Sequence, residues 1–182
     1  MGIRYTVRSE QLYYLTCTVV DWVDVFTRPV YRHIMVDALR YCQQQKGLEL
    51  FAWCLMSNHL HLLARAAEGH NLSDILRDFK KFTSKAIVQA ITDEPTESRR
   101  AWLLDRFYFR GRQDSKITNA KFWQDGSHAV EVLTPAFAQQ KLQYIHQNPV
   151  RAQIVQEPEA YVFSSASNYA GGHGLLEVLF VE

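Results

Sequence analysis

Hydrophobic positions change their period several times along this chain, and each change marks an element. Leu12 to Val20 is dense in Tyr, Thr and Val, which predicts a strand. Asp21 to Phe26 reads as a connector. Thr27 can cap a helix and Pro29 fits its first turn. Val30, Ile34, Ala38 and Cys42 then recur every four residues, so one helical face is apolar, and Gly47 ends it. Leu48 to Leu55 predicts a second strand and His59 to Ala64 a third. The short turn at Asn58 makes them a hairpin.

The second half alternates helix and irregular chain. Asn71 can cap a helix in which Leu72, Ile75, Leu76, Phe79, Thr83, Ala86, Ile87 and Ala90 keep the helical period, and Pro95 breaks it. Ser98 to Phe109 predicts a shorter helix carrying Trp102, Leu103 and Phe107. Arg110 to Asp114 reads as a polar loop. Lys121 to Gln124 suggests a fourth strand, and Asp125-Gly126 a turn after it. Thr134 and Pro135 open a last helix expected to stop before Pro149. Leu175 to Val181 could add an edge strand. The order strand, helix, strand, strand, helix, strand is the ferredoxin-like split βαβ arrangement. It implies an α+β fold, an antiparallel sheet with helices on one face. The expected organisation is one domain, with a core over about residues 10–152 and a C-terminal extension over 153–182.

Composition narrows the class without deciding it. The chain has 182 residues, 47% of them hydrophobic and 21% charged, which suits one domain with a real core. No apolar run approaches the ~20 residues of a membrane span. Arg4 and Arg8 are followed by aromatics and threonines rather than an apolar block, so no signal-peptide pattern is present. Cys17, Cys42 and Cys54 form no CxxC pair, and reduced thiols in a cytoplasmic protein are the expectation. The net charge is only +1, but Arg77 to Lys121 holds eleven lysines and arginines against six acidic residues. On the second predicted helix, Arg77, Lys80, Lys81 and Lys85 lie opposite the apolar face. Such a stripe can follow a phosphate backbone.

Two stretches carry candidate chemistry. In Met56-Ser57-Asn58-His59-Leu60-His61-Leu62-Leu63, a strand puts His59 and His61 on one face and Leu60 and Leu62 on the other. Paired imidazoles can hold a divalent cation if another ligand joins them. In Lys141-Leu142-Gln143-Tyr144-Ile145-His146-Gln147-Asn148-Pro149, Ala138, Leu142 and Ile145 form one helix face and Phe137, Lys141 and Tyr144 the other. If the helix persists, Asn148 sits one turn beyond Tyr144. Asn148 before Pro149 is equally suited to cap a following helix.

These stretches resemble the HUH signature of enzymes that cut single-stranded DNA with a tyrosine. The matching motifs are Trp53 to Leu62, Phe79-Lys80-Lys81-Phe82-Thr83, Tyr144 to Ala152 and Tyr161 to Ala166. In that order they are similar to the REP-associated tyrosine transposases, within the insertion-sequence-200-like single-tyrosine group. The resemblance implies a ferredoxin-like fold and Mg²⁺- or Mn²⁺-dependent cleavage of single-stranded or hairpin DNA. It implies Tyr144 as the nucleophile, His59 and His61 as metal ligands, and Asn148 at the third ligand position. Mg²⁺ prefers oxygen ligands, so phosphate oxygens and waters would have to complete such a shell. Relatives often carry His-Asp where this chain has His128-Ala129.

The resemblance also implies a guide hairpin with a flanking single strand, and either a monomer or a homodimer. Arg77, Lys80, Lys81, Lys85, Arg110 and Arg112 are the candidate DNA-binding cations. Phe107, Tyr108 and Phe109 are candidate surfaces for stacking on bases. The competing expectation is a domesticated protein that binds hairpin DNA with little or no cleavage.

Overall fold

Residues 11–115 and 119–181 are described by a computed structural model. Arg4 and Arg8, on which the N-terminal reading rests, lie outside them.

Strands β1 (Tyr13–Thr18), β2 (Leu48–Leu55), β3 (His59–Ala66) and β4 (Val130–Glu131) form an antiparallel sheet in the order β2-β3-β1-β4. This is the ferredoxin-like order. The predicted hairpin is β2–β3, pairing Leu55 with Leu60. Helices α1 (Pro29–Lys46) and α2 (Leu72–Asp93) cover one face of the sheet. Leu15, Cys17, Trp53, Leu55, Leu60 and Leu62 turn to that side and meet Met35, Leu39, Ile75 and Phe79. Fully burying a leucine or methionine stabilises by roughly 1.5–3 kcal/mol, so this layer is the main source of stability.

Alternation sends the next residue of each strand the other way. Tyr14, Leu63, Ala52 and Cys54 form a second cluster with Ala138, Leu142 and Ile145 of α4 (Pro135–Arg151). Helix α4 therefore lies across the sheet from α1 and α2, on the side to which the alternation turns His59 and His61.

Local chemistry explains most boundaries. Gly47 closes α1 in the left-handed conformation at φ 71°, and a Cβ there would meet the His70 ring. Asn71 accepts from the Ser73 and Asp74 amides, and Thr134 from the Phe137 amide, as helix caps do. Thr27 is not the cap of α1: Arg28 holds that place, and the Thr27 hydroxyl accepts from Arg99 instead.

Four other expectations are corrected. Helix α3 (Arg100–Arg112) takes in the first three residues of the predicted polar loop, and Gly111 there packs against the Asn119 backbone. The fourth strand is split. Phe122 and Gln124 bond to Val20 and Thr18, while the assigned strand β4 pairs with Tyr13 and Tyr14 farther along. Gly126 and His128, both at positive φ, carry the chain between the two pieces. Helix α4 continues past Pro149 to Arg151, so Asn148 caps no new helix. The lost amide bond is the one to Ile145, and only two helical residues follow Pro149. The tail forms no strand over 175–181. Leu179 still donates to the Leu50 carbonyl, and Phe163 and Ser165 bond to Leu55 and Trp53. The C-terminal extension thus covers the β2 edge that would otherwise stay unpaired.

Candidate active site

β3 carries His59 and His61 side by side, with ring centroids 4.6 Å apart. β1 lies directly opposite, pairing Thr18 with His59 and Thr16 with His61. That register brings two polar side chains to His61. The Tyr14 hydroxyl lies 2.9 Å from its Nδ1, and Thr16 Oγ1 lies 3.0 Å from the same nitrogen. His59 Nδ1 lies 2.7 Å from Asn58 Oδ1, and Asn58 Nδ2 donates to Asp24. Each ring thus has Nδ1 engaged by the protein. Among the described residues no hydrogen bond to Nε2 of either ring is seen.

Burial sets the protonation of this pair. His61 is 4% exposed, and its pKa is pushed down to about 3 by burial first, then by His59 and Lys141. His59 is lowered as well, mainly by burial, with Asp24 opposing. Both imidazoles are neutral at pH 7, the form that binds a metal.

Helix α4 brings Tyr144 to His61. Its ring lies 5.6 Å from His61 and 6.0 Å from Tyr14, edge-on to both, and the residue keeps 36% exposure. Tyr14 is buried, and its pKa is raised to about 12. Burial is the main cause, the Thr16 hydroxyl opposes it, and Tyr144 adds to it. Two cations frame Tyr144. Lys141 Nζ stands 4.6 Å from the Tyr14 ring and 5.8 Å from the Tyr144 ring, and the Arg151 guanidinium 5.1 Å from the Tyr144 ring. Lys141, Tyr144, Asn148 and Arg151 thus follow one another at helical spacing. Asn148 Nδ2 donates to the Tyr144 carbonyl, leaving Oδ1 as its acceptor atom.

The sequence-predicted residues divide. Tyr144, His59 and His61 come together, and Asn148 stands one turn along. The six candidate DNA-binding cations make no contact with those three. Arg77 pairs with Asp74 and Asp78. Lys80 donates to the carbonyls of Gln124 and Gly126. Arg110 grips the Asp21 carboxylate. Lys81 and Lys85 line a groove of about 580 Å³ between α1 and α2 with Tyr41 and Phe82. Arg112 is exposed at the end of α3. Phe107 is core, whereas Phe109 is 43% exposed.

Sequence reasoning missed Tyr14, Thr16 and Arg151. For Tyr14 and Thr16 the available signal was strand alternation, which puts them opposite Leu15 and Cys17 in β1. Among the described residues no three His, Cys, Asp or Glu side chains cluster to hold a metal ion. A cation here would rest on two imidazoles plus an amide, water or phosphate oxygen. No helix among those residues is long and apolar enough to cross a membrane.

The sheet order, the paired histidines and the neighbouring tyrosine can be set against known proteins. No curated protein matches the sequence. A solved REP-associated tyrosine transposase bound to a REP hairpin is similar in structure, with a TM-score of 0.64 and 15% identity. The likeness covers 100% of this chain and 93% of that one. A putative transposase from Deinococcus radiodurans R1 aligns with a TM-score of 0.45 and 22% identity, over 81% and 95% of the two chains. The family model described as transposase IS200 like matches residues 9–111, which include His59 and His61 and stop before Tyr144. The chain belongs to the IS200-like transposase family.

Proposed function

We propose that this protein is a metal-dependent endonuclease and strand transferase for single-stranded DNA, acting on REP-like hairpins through a 5′-phosphotyrosine intermediate. The observation that carries this reading is the approach of Tyr144 to a neutral imidazole pair, with ring centroids 5.6 Å from His61 and 4.6 Å between the histidines. The hairpin-bound relative of the same fold supports the substrate class.

The donor set is compatible with a divalent cation. His59 and His61 are both neutral at pH 7 and both have Nδ1 engaged, the arrangement that presents Nε2 to a metal. They would hold Mg²⁺ or Mn²⁺, with Asn148 Oδ1 as the candidate third ligand. Such an ion, when bound, offsets charge on the scissile phosphate. Lys141 and Arg151 have no carboxylate partner among the described residues. Both can bond nonbridging phosphate oxygens beside Tyr144. Lys81, Lys85 and Arg112, also without ion pairs among those residues, remain for phosphates farther along the strand.

In the reaction, Tyr144 Oη attacks phosphorus. The new O–P bond forms as the P–O3′ bond breaks. The phenolic proton leaves to solvent, and the departing 3′ oxygen takes one up. The ester keeps the energy of the broken linkage, so the 3′-hydroxyl of another strand reverses the step without ATP.

A labelled hairpin oligonucleotide with a single-stranded flank, incubated with the protein and Mn²⁺, tests this. The expected product is a denaturant-resistant protein–DNA adduct that is absent in Tyr144→Phe and in His61→Ala. Tight hairpin binding with no adduct overturns the enzyme in favour of a DNA-binding protein.

A further inference from the structure

Beside His59 stands a segment with an unusual backbone. Asp21 and Trp22 adopt left-handed conformations in succession, at φ 56° and 55°. Neither is glycine, and a bulky side chain is a rare occupant of that region. Conformations of this kind persist only where neighbours over-determine them, and they gather at binding sites.

Here the neighbours are visible. Arg110 bonds both carboxylate oxygens of Asp21, and Arg106 approaches it at 3.7 Å. On the far side Asn58 Nδ2 donates to the Trp22 carbonyl. The backbone is thus fixed, while the side chain it carries is not buried: Trp22 is 59% exposed, and its ring lies 5.9 Å from His59, edge-on. A core tryptophan would offset backbone strain with buried area, and this one leaves most of its surface in water. Asn58 ties the two residues together, since it bonds both Trp22 and His59.

The geometry points to Trp22 as a stacking platform for one unpaired nucleobase of the strand whose phosphate reaches the histidine pair. An indole face stacks on any base, so the platform fixes position rather than sequence. Arg110 then acts beneath the DNA as the residue that locks Asp21, and not as a phosphate contact. The inference rests on the reading that single-stranded DNA docks at His59 and His61.

Binding is the test, with Tyr144→Phe as the parent so that cleavage does not intervene. Hairpin oligonucleotides carry an abasic site at successive positions of the single-stranded flank, and affinity is read by fluorescence anisotropy. In the parent, one abasic position weakens binding by roughly 5- to 150-fold, the value of one aromatic stack. Adding Trp22→Asn weakens binding of the intact strand by a similar factor and abolishes the sensitivity at that position. Adding Trp22→Phe keeps most of both. Asparagine tolerates the left-handed backbone, so Trp22→Asn should melt no lower than the parent. An abasic profile that is the same with and without Trp22 overturns the platform and leaves the docking site standing. No binding of any oligonucleotide by the parent overturns both.

Discussion

The Tyr14 hydroxyl and His61 Nδ1 lie 2.9 Å apart, although 47 residues separate them in the chain. Thr16 shares the same nitrogen at 3.0 Å. A ring engaged at Nδ1 by two hydroxyls is fixed in orientation, and no hydrogen bond to its Nε2 is seen among the described residues.

Removing that support should loosen the site without unfolding the sheet. Partners of this kind are typically worth about 10- to 100-fold in metal affinity. Because Thr16 remains, Tyr14→Phe is expected at the lower end, near ~10-fold, in a calorimetric titration with Mn²⁺. The melting temperature should move little. Unchanged Mn²⁺ affinity would show that Tyr14 only fills space.

Acid should destabilise the fold before any carboxylate titrates. His146 is buried on α4, with Nε2 2.8 Å from Ser165 Oγ, and burial pushes its pKa down to about 4. His61 is lower still, at about 3. The unfolded chain protonates both near pH 6.5 and the folded chain does not. The unfolded state therefore binds more protons below pH 6.5, and stability falls as pH falls from there toward 4. The urea midpoint should be flat between about pH 7 and 8, below the ordinary thiol range, and decline below 6.5. His146→Gln should remove part of that slope. A midpoint unaffected between pH 7 and 5 would contradict the buried neutral state.

Gly111 is the position in α3 least able to accept a side chain. A Cβ there would lie 1.7 Å from the Asn119 carbonyl oxygen, a backbone atom. Gly111→Ala must push the 119–121 segment away from the helix, including the bond from the Lys121 amide to the Phe107 carbonyl. Overpacking of this kind costs about 1–3 kcal/mol. Urea denaturation should show a loss in that range. A gain, as alanine gives in an ordinary helix interior, would mean the contact is not made.

The cations framing Tyr144 should matter to the adduct more than to folding. Charge-assisted hydrogen bonds contribute about 1.5–3 kcal/mol, or roughly 10- to 100-fold in rate if made to the reacting phosphate. Lys141→Met and Arg151→Met should each slow adduct formation by that order, and Lys141→Arg should restore much of it. Rates equal to the parent in both methionine variants would remove these residues from the site.

Elements and faces were legible because burial writes a local period into the chain. His59-Leu60-His61 announces two imidazoles on one face of a strand, and Tyr144 falls on the helix face away from Leu142 and Ile145. The site's support was not legible. Tyr14 and Thr16 reach His61 only through the β1–β3 register, which pairs residues 41 or more apart. The fate of the basic stretch was also hidden. Composition counts Arg110 as a free cation, but Asp21 lies 89 residues away in sequence and neutralises it in space.

What the sequence determined by itself is the set of amphipathic pieces, their order and the two stretches with chemical potential, since periodicity and capping act within a few residues. What the tertiary structure decided is which face of the sheet α4 covers, that Tyr144 packs edge-on against His61, and that Trp22 is held strained and exposed beside His59. Those outcomes depend on strand register and on side chains meeting across long loops. No local pattern encodes them, because the free energy that selects them belongs to the packed whole.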